Sequence, residues 1–99
     1  MLIFNITFLV SDTISDKWLN WVNKQHIPFM VSTGFFTQPQ LAKVLGDHGQ
    51  DGTSYSVQFH TNPAQLDEWH QLYAEEMQRE CTTIFGQEVL FFTTALELL

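Results

Sequence analysis

FFTQPQLAKVLGDHGQDGTSYSVQFHT, residues 35–61, is the stretch that decides the fold. Gly46, Asp47, Gly49, Asp51 and Gly52 form the densest turn cluster in the chain and sit at its centre. After the cluster, Tyr55, Val57 and Phe59 share one face of an alternating run from Thr53 to Thr61. Before it, Phe35 to about Leu45 reads as a second extended arm, so the stretch predicts a β-hairpin. Pro39 in the first arm has no N–H to give to a ladder, which places that arm at the edge of its sheet.

Outward from the hairpin, each side carries a helix and then one more strand. On the N-terminal side, Leu2, Phe4, Ile6, Phe8 and Val10 alternate with Ile3, Asn5, Thr7 and Leu9, the period of a strand. Ser11, Asp12 and Ser15 offer caps for a helix that carries Ile14, Trp18, Trp21 and Val22, with Asp16 in its first turn. Pro28 is expected to end or kink this helix near His26, with a further turn through Phe29 and Met30 open as the alternative, and Gly34 as the left-handed stop. On the C-terminal side, Asn62 and Pro63 open a second helix in which Leu66, Trp69, His70, Tyr73, Met77 and Ile84 share one face at about 100° per residue. Phe85 and Gly86 close it, and Val89 to Leu96 reads as a last strand, apolar on both faces.

Strand, helix, hairpin, helix, strand is the split βαβ order of an α+β domain, βαββαβ. It predicts a four-stranded antiparallel sheet with both helices on one face and strands one and three in the centre. Residues 1–99 are read as one such domain. The helices cover only one face, yet Ile3, Leu9 and the doubly apolar last strand make the other face apolar too. A second copy packed sheet against sheet, in a symmetric homodimer, would cover it. Ordinary exposed hydrophobes are the alternative.

Composition narrows the function. Four Lys and Arg against eleven Asp and Glu give a net charge of -7, which repels phosphate backbones and anionic headgroups, so neither nucleic acid nor membrane is expected as a partner. The single cysteine, Cys81, cannot form an internal disulfide and has no metal-type partner, which points to the cytoplasm. His26, His48, His60 and His70 fall on four separate elements without a ligand spacing, so no metal and no cofactor is predicted.

Trp18, Leu19, Asn20 and Trp21, followed by Gln25, His26, Ile27 and Pro28 and then by Thr33, Gly34 and Phe35, resemble a family of short bacterial proteins known only as a domain of unknown function. The resemblance extends to residues 5–8, residues 55–58 and the Phe85-Gly86 step. More distantly, the His26-Ile27-Pro28 helix end is similar to the dimeric α/β-barrel superfamily, which includes antibiotic-biosynthesis-monooxygenase-like and EthD-like proteins. The resemblance implies a ferredoxin-like fold, pairing of two copies into a barrel, and a pocket between helices and sheet. It implies no reaction, since this fold hosts many. The chain also has no basic lining for an acidic cofactor such as haem.

Two histidines are candidate catalytic residues. His26 stands where the first helix meets Pro28 and can act as a general base at a pocket mouth, or simply bind a last-turn carbonyl. His70 falls in the second helix's apolar stripe, where it is either a core histidine satisfied by Tyr73, Gln25 or backbone, or part of a His70–Tyr73 pair facing a ligand. Trp18, Trp21, Gln25, Trp69 and Tyr73 are the candidate ligand-binding set, a wall for a small, planar, apolar molecule, with core packing as the plainer role of the aromatics. The two functional expectations are a domain that binds or transforms such a ligand, and a non-catalytic homodimeric sensor or interaction module.

Overall fold

The computed structural model of the chain describes residues 1–46 and 52–99. The centre of the hairpin turn, with Asp47, His48, Gly49 and Asp51, lies outside the described residues. Strands β1 (Leu2–Ser11), β2 (Thr37–Lys43), β3 (Gly52–Thr61) and β4 (Val89–Glu97) form an antiparallel sheet in the order β2-β3-β1-β4. The hairpin and the βαββαβ order are as the sequence predicts, and β2 is at the edge where Pro39 puts it. There the ladder between β2 and β3 breaks register from Thr37 to Gln40, and Gln38 takes a positive φ of 51°. A bulge at this point gives the missing proline N–H no ladder position to vacate.

Both helices contain a wide turn that sequence periodicity does not foresee. The first runs without a break as α1 (Ser15–Trp21), a π turn (Val22–His26) and α2 (Ile27–Ser32). Pro28 therefore does not end it. The proline lies just past the π turn, where the hydrogen-bond pattern changes, so its missing donor costs less than inside a regular helix. Gly34, at φ 82°, closes the end by donating its N–H to Val31 O at 3.1 Å. The second helix runs as α3 (Pro63–Trp69), a π turn (His70–Ala74) and α4 (Glu75–Phe85). Its start is capped by Asn62 Oδ1, which accepts from Gln65 N at 2.8 Å.

The π turns correct the predicted inward face of the second helix. At about 100° per residue, Phe85 would lie roughly 160° from Trp69; one extra residue in the turn removes about 100° and returns Phe85 to within about 60°. Cys81 likewise moves from about 120° to about 20°. Leu66, Trp69, Cys81 and Phe85 are accordingly the buried residues of this helix, Tyr73 and Met77 are half-buried, and His70 is exposed. Its placement in a buried stripe does not hold.

The core lies between the helices and one sheet face. Phe4, Ile6, Phe8 and Val10 of β1 and Val57 and Phe59 of β3 meet Trp18, Trp21, Val22, Met30, Trp69 and Phe85 from above. On the opposite face Leu9, Leu90, Phe92 and Leu96 remain 45%, 58%, 62% and 46% exposed. The register places Leu9 opposite Leu90, Thr7 opposite Phe92 and Ile3 opposite Leu96, so these apolar groups form one strip along β1 and β4. Beside it runs a polar chain: Asn5 Nδ2 donates to Thr7 Oγ1 at 2.9 Å, Ser56 Oγ donates to Asn5 Oδ1, and Gln58 Nε2 donates to Ser56 Oγ at 3.3 Å.

Candidate functional site

The two π turns face one cavity. Gln25 and His26 come from the first turn and Tyr73 from the second; Phe29 and Met30 of α2, Trp69 of α3, and Glu76, Met77 and Glu80 of α4 complete its wall. Its volume is about 70 Å³. A π turn adds a residue to a helix and so costs regular hydrogen bonding, and such turns recur where a helix must aim a side chain at a ligand. Here both helices pay that cost at the same place.

His26 is the best-placed polar group. It is 5% exposed, and Nε2 has no hydrogen-bond partner. Its ring lies between aromatic neighbours: it stacks on Trp21 at 5.0 Å and meets Phe8 edge-on at 5.8 Å. Burial pushes its pKa down from 6.5 to about 4, so the ring is neutral near pH 7. A base that weak is a poor proton acceptor at neutral pH, but the neutral ring remains a good hydrogen-bonding group. Trp69 is 1% exposed and its indole N–H is also without a partner. A buried donor left unmade costs about 1 to 3 kcal/mol; His26 and Trp69, which line this cavity, carry two such nitrogens, and Trp18, which does not, carries another.

The candidate set divides on this geometry. Gln25, His26, Trp69 and Tyr73 meet at the cavity. Trp21 does not line it; it backs His26 and donates its indole N–H to Glu80 Oε1 at 3.3 Å. Trp18 packs away from it, stacked on Tyr55 at 4.7 Å and tilted against Phe8 at 5.1 Å. His70 points elsewhere, with Nδ1 3.0 Å from Leu66 O one turn back, the backbone partner foreseen as one of its options. Phe29 and Tyr73 meet edge-to-face at 5.6 Å over the cavity's outer side.

Phe29, Met30, Glu76, Met77 and Glu80 were not among the candidate ligand-binding residues, although Met77 stood on the predicted inward face. The signal was present: Tyr73, Glu76, Met77 and Glu80 are spaced by three, four and seven, a single stripe of one helix. A larger hollow of about 260 Å³ lies where α4 meets β4, beside Cys81. Burial and the nearby Glu80 push that thiol up to about 11, so it is protonated at neutral pH, and no unpartnered buried atom among the described residues lies on that hollow's wall. Among the described residues no cluster of His, Cys, Asp and Glu is arranged to hold a metal ion, and no helix is long and apolar enough to cross a membrane.

No curated protein sequence matches the chain. Solved structures do. A candidate antibiotic biosynthesis monooxygenase from Deinococcus radiodurans superposes with a TM-score of 0.69 at 16% identity, over 100% of this chain and 93% of that one. A dimeric ferredoxin-like protein from an uncultured marine organism gives 0.67 at 8% identity, over 100% and 95%. An ethyl tert-butyl ether degradation (EthD) family protein from Bacillus halodurans gives 0.67 at 8%, over 100% of both chains. At these identities the likeness is one of fold, and it supports a ferredoxin-like architecture for this chain. The match of a family model to residues 1–99 makes the chain a member of the domain-of-unknown-function family DUF4286.

Proposed function

We propose that this domain is a homodimeric small-molecule-binding protein whose ligand enters the cavity between the helices and the sheet beside His26. The observation that carries the reading is one cavity on which the π turns of both helices converge, with the deeply buried His26 and Trp69 in its lining. Phe29, Met30, Tyr73 and Met77 supply most of the remaining lining, completed by Gln25, Glu76 and Glu80, which suits a small, planar, mostly apolar molecule. The low pKa of His26 favours binding over base catalysis, so the reading is a carrier or sensor before an enzyme. His70 takes no part in it. The lone, protonated Cys81 suits a reducing compartment such as the cytoplasm.

The homodimer rests on the exposed strip of Leu9, Leu90, Phe92 and Leu96 and on the dimeric state of a protein with the same fold. Phe92→Asp tests it. Each protomer loses the burial of one phenylalanine, about 2 kcal/mol, and by symmetry the dimer loses it twice, so its dissociation constant rises about a thousandfold. Phe92 is 62% exposed within one protomer, so the variant stays folded. Light scattering at micromolar concentration should show a wild-type dimer and a variant monomer of unchanged circular dichroism; a wild-type monomer overturns the assembly.

Native mass spectrometry of freshly purified chain tests the binding. The expected spectrum is a dimer carrying up to one small adduct per protomer, and the Trp69→Ala variant should lose it. An adduct that survives in that variant does not sit in the cavity and counts against the reading.

A further inference from the structure

The sheet face that the helices leave open is uncharged. Residues directly opposite on paired strands share a face, so its outward positions are every second residue from Ile3 to Leu9 on β1, from Ser54 to His60 on β3 and from Leu90 to Leu96 on β4. None of them is Asp, Glu, Lys or Arg, in a chain of formal charge -7. A charged partner finds nothing to pair with there, whereas a second copy meets no like charge across it.

The face is also divided lengthwise. Leu9, Leu90, Phe92 and Leu96 make the β1–β4 side apolar, and Asn5, Thr7, Ser56 and Gln58 make the β1–β3 side polar. The polar side is already hydrogen-bonded to itself, which lowers the cost of covering it.

This division decides how a second copy fits. Aligned packing keeps the strands of two sheets within about 30° of each other, so the two-fold axis between identical sheets runs either along the strands or across them. Along the strands, it lays β1 over the partner's β3, and Leu9 faces the partner's Ser54, apolar on polar. Moved sideways onto the strip, the same axis matches the leucines but leaves β2 and β3 uncovered. Across the strands, each strand lies on its own copy turned end over end. An axis at the level of Ile6 and Thr93, which are opposite each other, sets Leu90 on the partner's Leu96 and Leu9 on the partner's Ile3. It also sets Asn5 on the partner's Thr7 and Ser56 on the partner's Gln58. Only this turn covers the whole face with apolar on apolar and polar on polar.

Resting on the homodimer reading above, we propose that two copies stack end over end, about a two-fold axis that crosses the strands at Ile6 and Thr93, with β4 on the partner's β4.

Leu90→Glu and Leu96→Lys test the contact. Either substitution alone sets a charge against a leucine and should raise the dimer dissociation constant at least about a hundredfold. Combined in one chain, each carboxylate faces the partner's ammonium at two symmetric points, and most of that loss should be regained. The two sites are about 20 Å apart along β4, so the charges cannot pair within one chain. Both leucines are exposed in the protomer, so the variants stay folded, which circular dichroism checks. Light scattering over a dilution series reads the constants. A double variant as monomeric as the single ones overturns the end-over-end contact and leaves the dimer standing; a wild-type monomer removes the dimer and the proposal with it. A nitroxide label reads the same axis without a charge at the contact. Carried by Glu97→Cys in a Cys81→Ala background, it lies four residues from the axis level, so the two labels of a dimer should be about 30 Å apart. An axis along the strands holds them within about 20 Å, and that distance overturns the proposal.

Discussion

Acidification from about pH 7 to about pH 4 should cost the folded protein on the order of 3 kcal/mol through His26 alone, and His26→Gln should remove that component. The folded pKa, about 4, lies below the unfolded 6.5. Between those values the unfolded chain takes up a proton that the folded chain refuses, so stability rises with pH across the window. The contribution is complete above the unfolded pKa and is lost as the pH falls through the folded one. Carboxylates add their own acid dependence, but they do so equally in both proteins. Urea unfolding at fixed protein concentration therefore isolates the histidine: the wild-type and His26→Gln stability curves should diverge between about pH 4 and 6.5. Parallel curves would mean that the ring is solvated and that no closed cavity floor exists at His26.

Trp18→Ala should be the most damaging single truncation, costing about 3 to 5 kcal/mol. The indole is fully buried, stacked on Tyr55 and wedged against Phe8, so its removal opens a void that rigid β1 and β3 cannot close. Against a typical total of about 5 to 15 kcal/mol, that loss leaves the domain partly unfolded at room temperature. Trp18→Phe should cost much less, under about 2 kcal/mol, because Trp18 Nε1 has no partner and its removal relieves an unmade hydrogen bond. Thermal unfolding of both variants checks the contrast. An equally large loss in the phenylalanine variant would show that the indole N–H is bonded after all.

The different fates of these residues show what can be read from a sequence and what cannot. Alternation in residues 2–10 and 53–61 and the break at Pro39 are local signals, set by one residue's backbone chemistry or by a period of two, and they define the sheet order. The π turns are not local in that sense. No residue type demands them, and a single inserted position turns the later part of a helix by about 100°, so a regular wheel carried on from Trp69 puts the buried Phe85 about 160° away from it. Gln25, Trp69 and Tyr73 keep their predicted place at the cavity because they stand before or within the turns. Glu76 and Glu80 went unnoticed because acids on a helix normally face solvent; only the packing of α4 against α2 makes them a rim.

Three tryptophans report on three depths of the molecule, which makes the central claim measurable in one spectrum. Trp69 lines the cavity, Trp21 backs His26, and Trp18 is shielded on the far side of Phe8. Adding a small planar probe such as phenol or aniline to the 15N-labelled chain should shift the Trp69 indole signal strongly and Trp21 weakly, and should leave Trp18 where it was. A shift shared equally by all three, or confined to Trp18, would place the binding somewhere other than the cavity at His26 and would contradict the account.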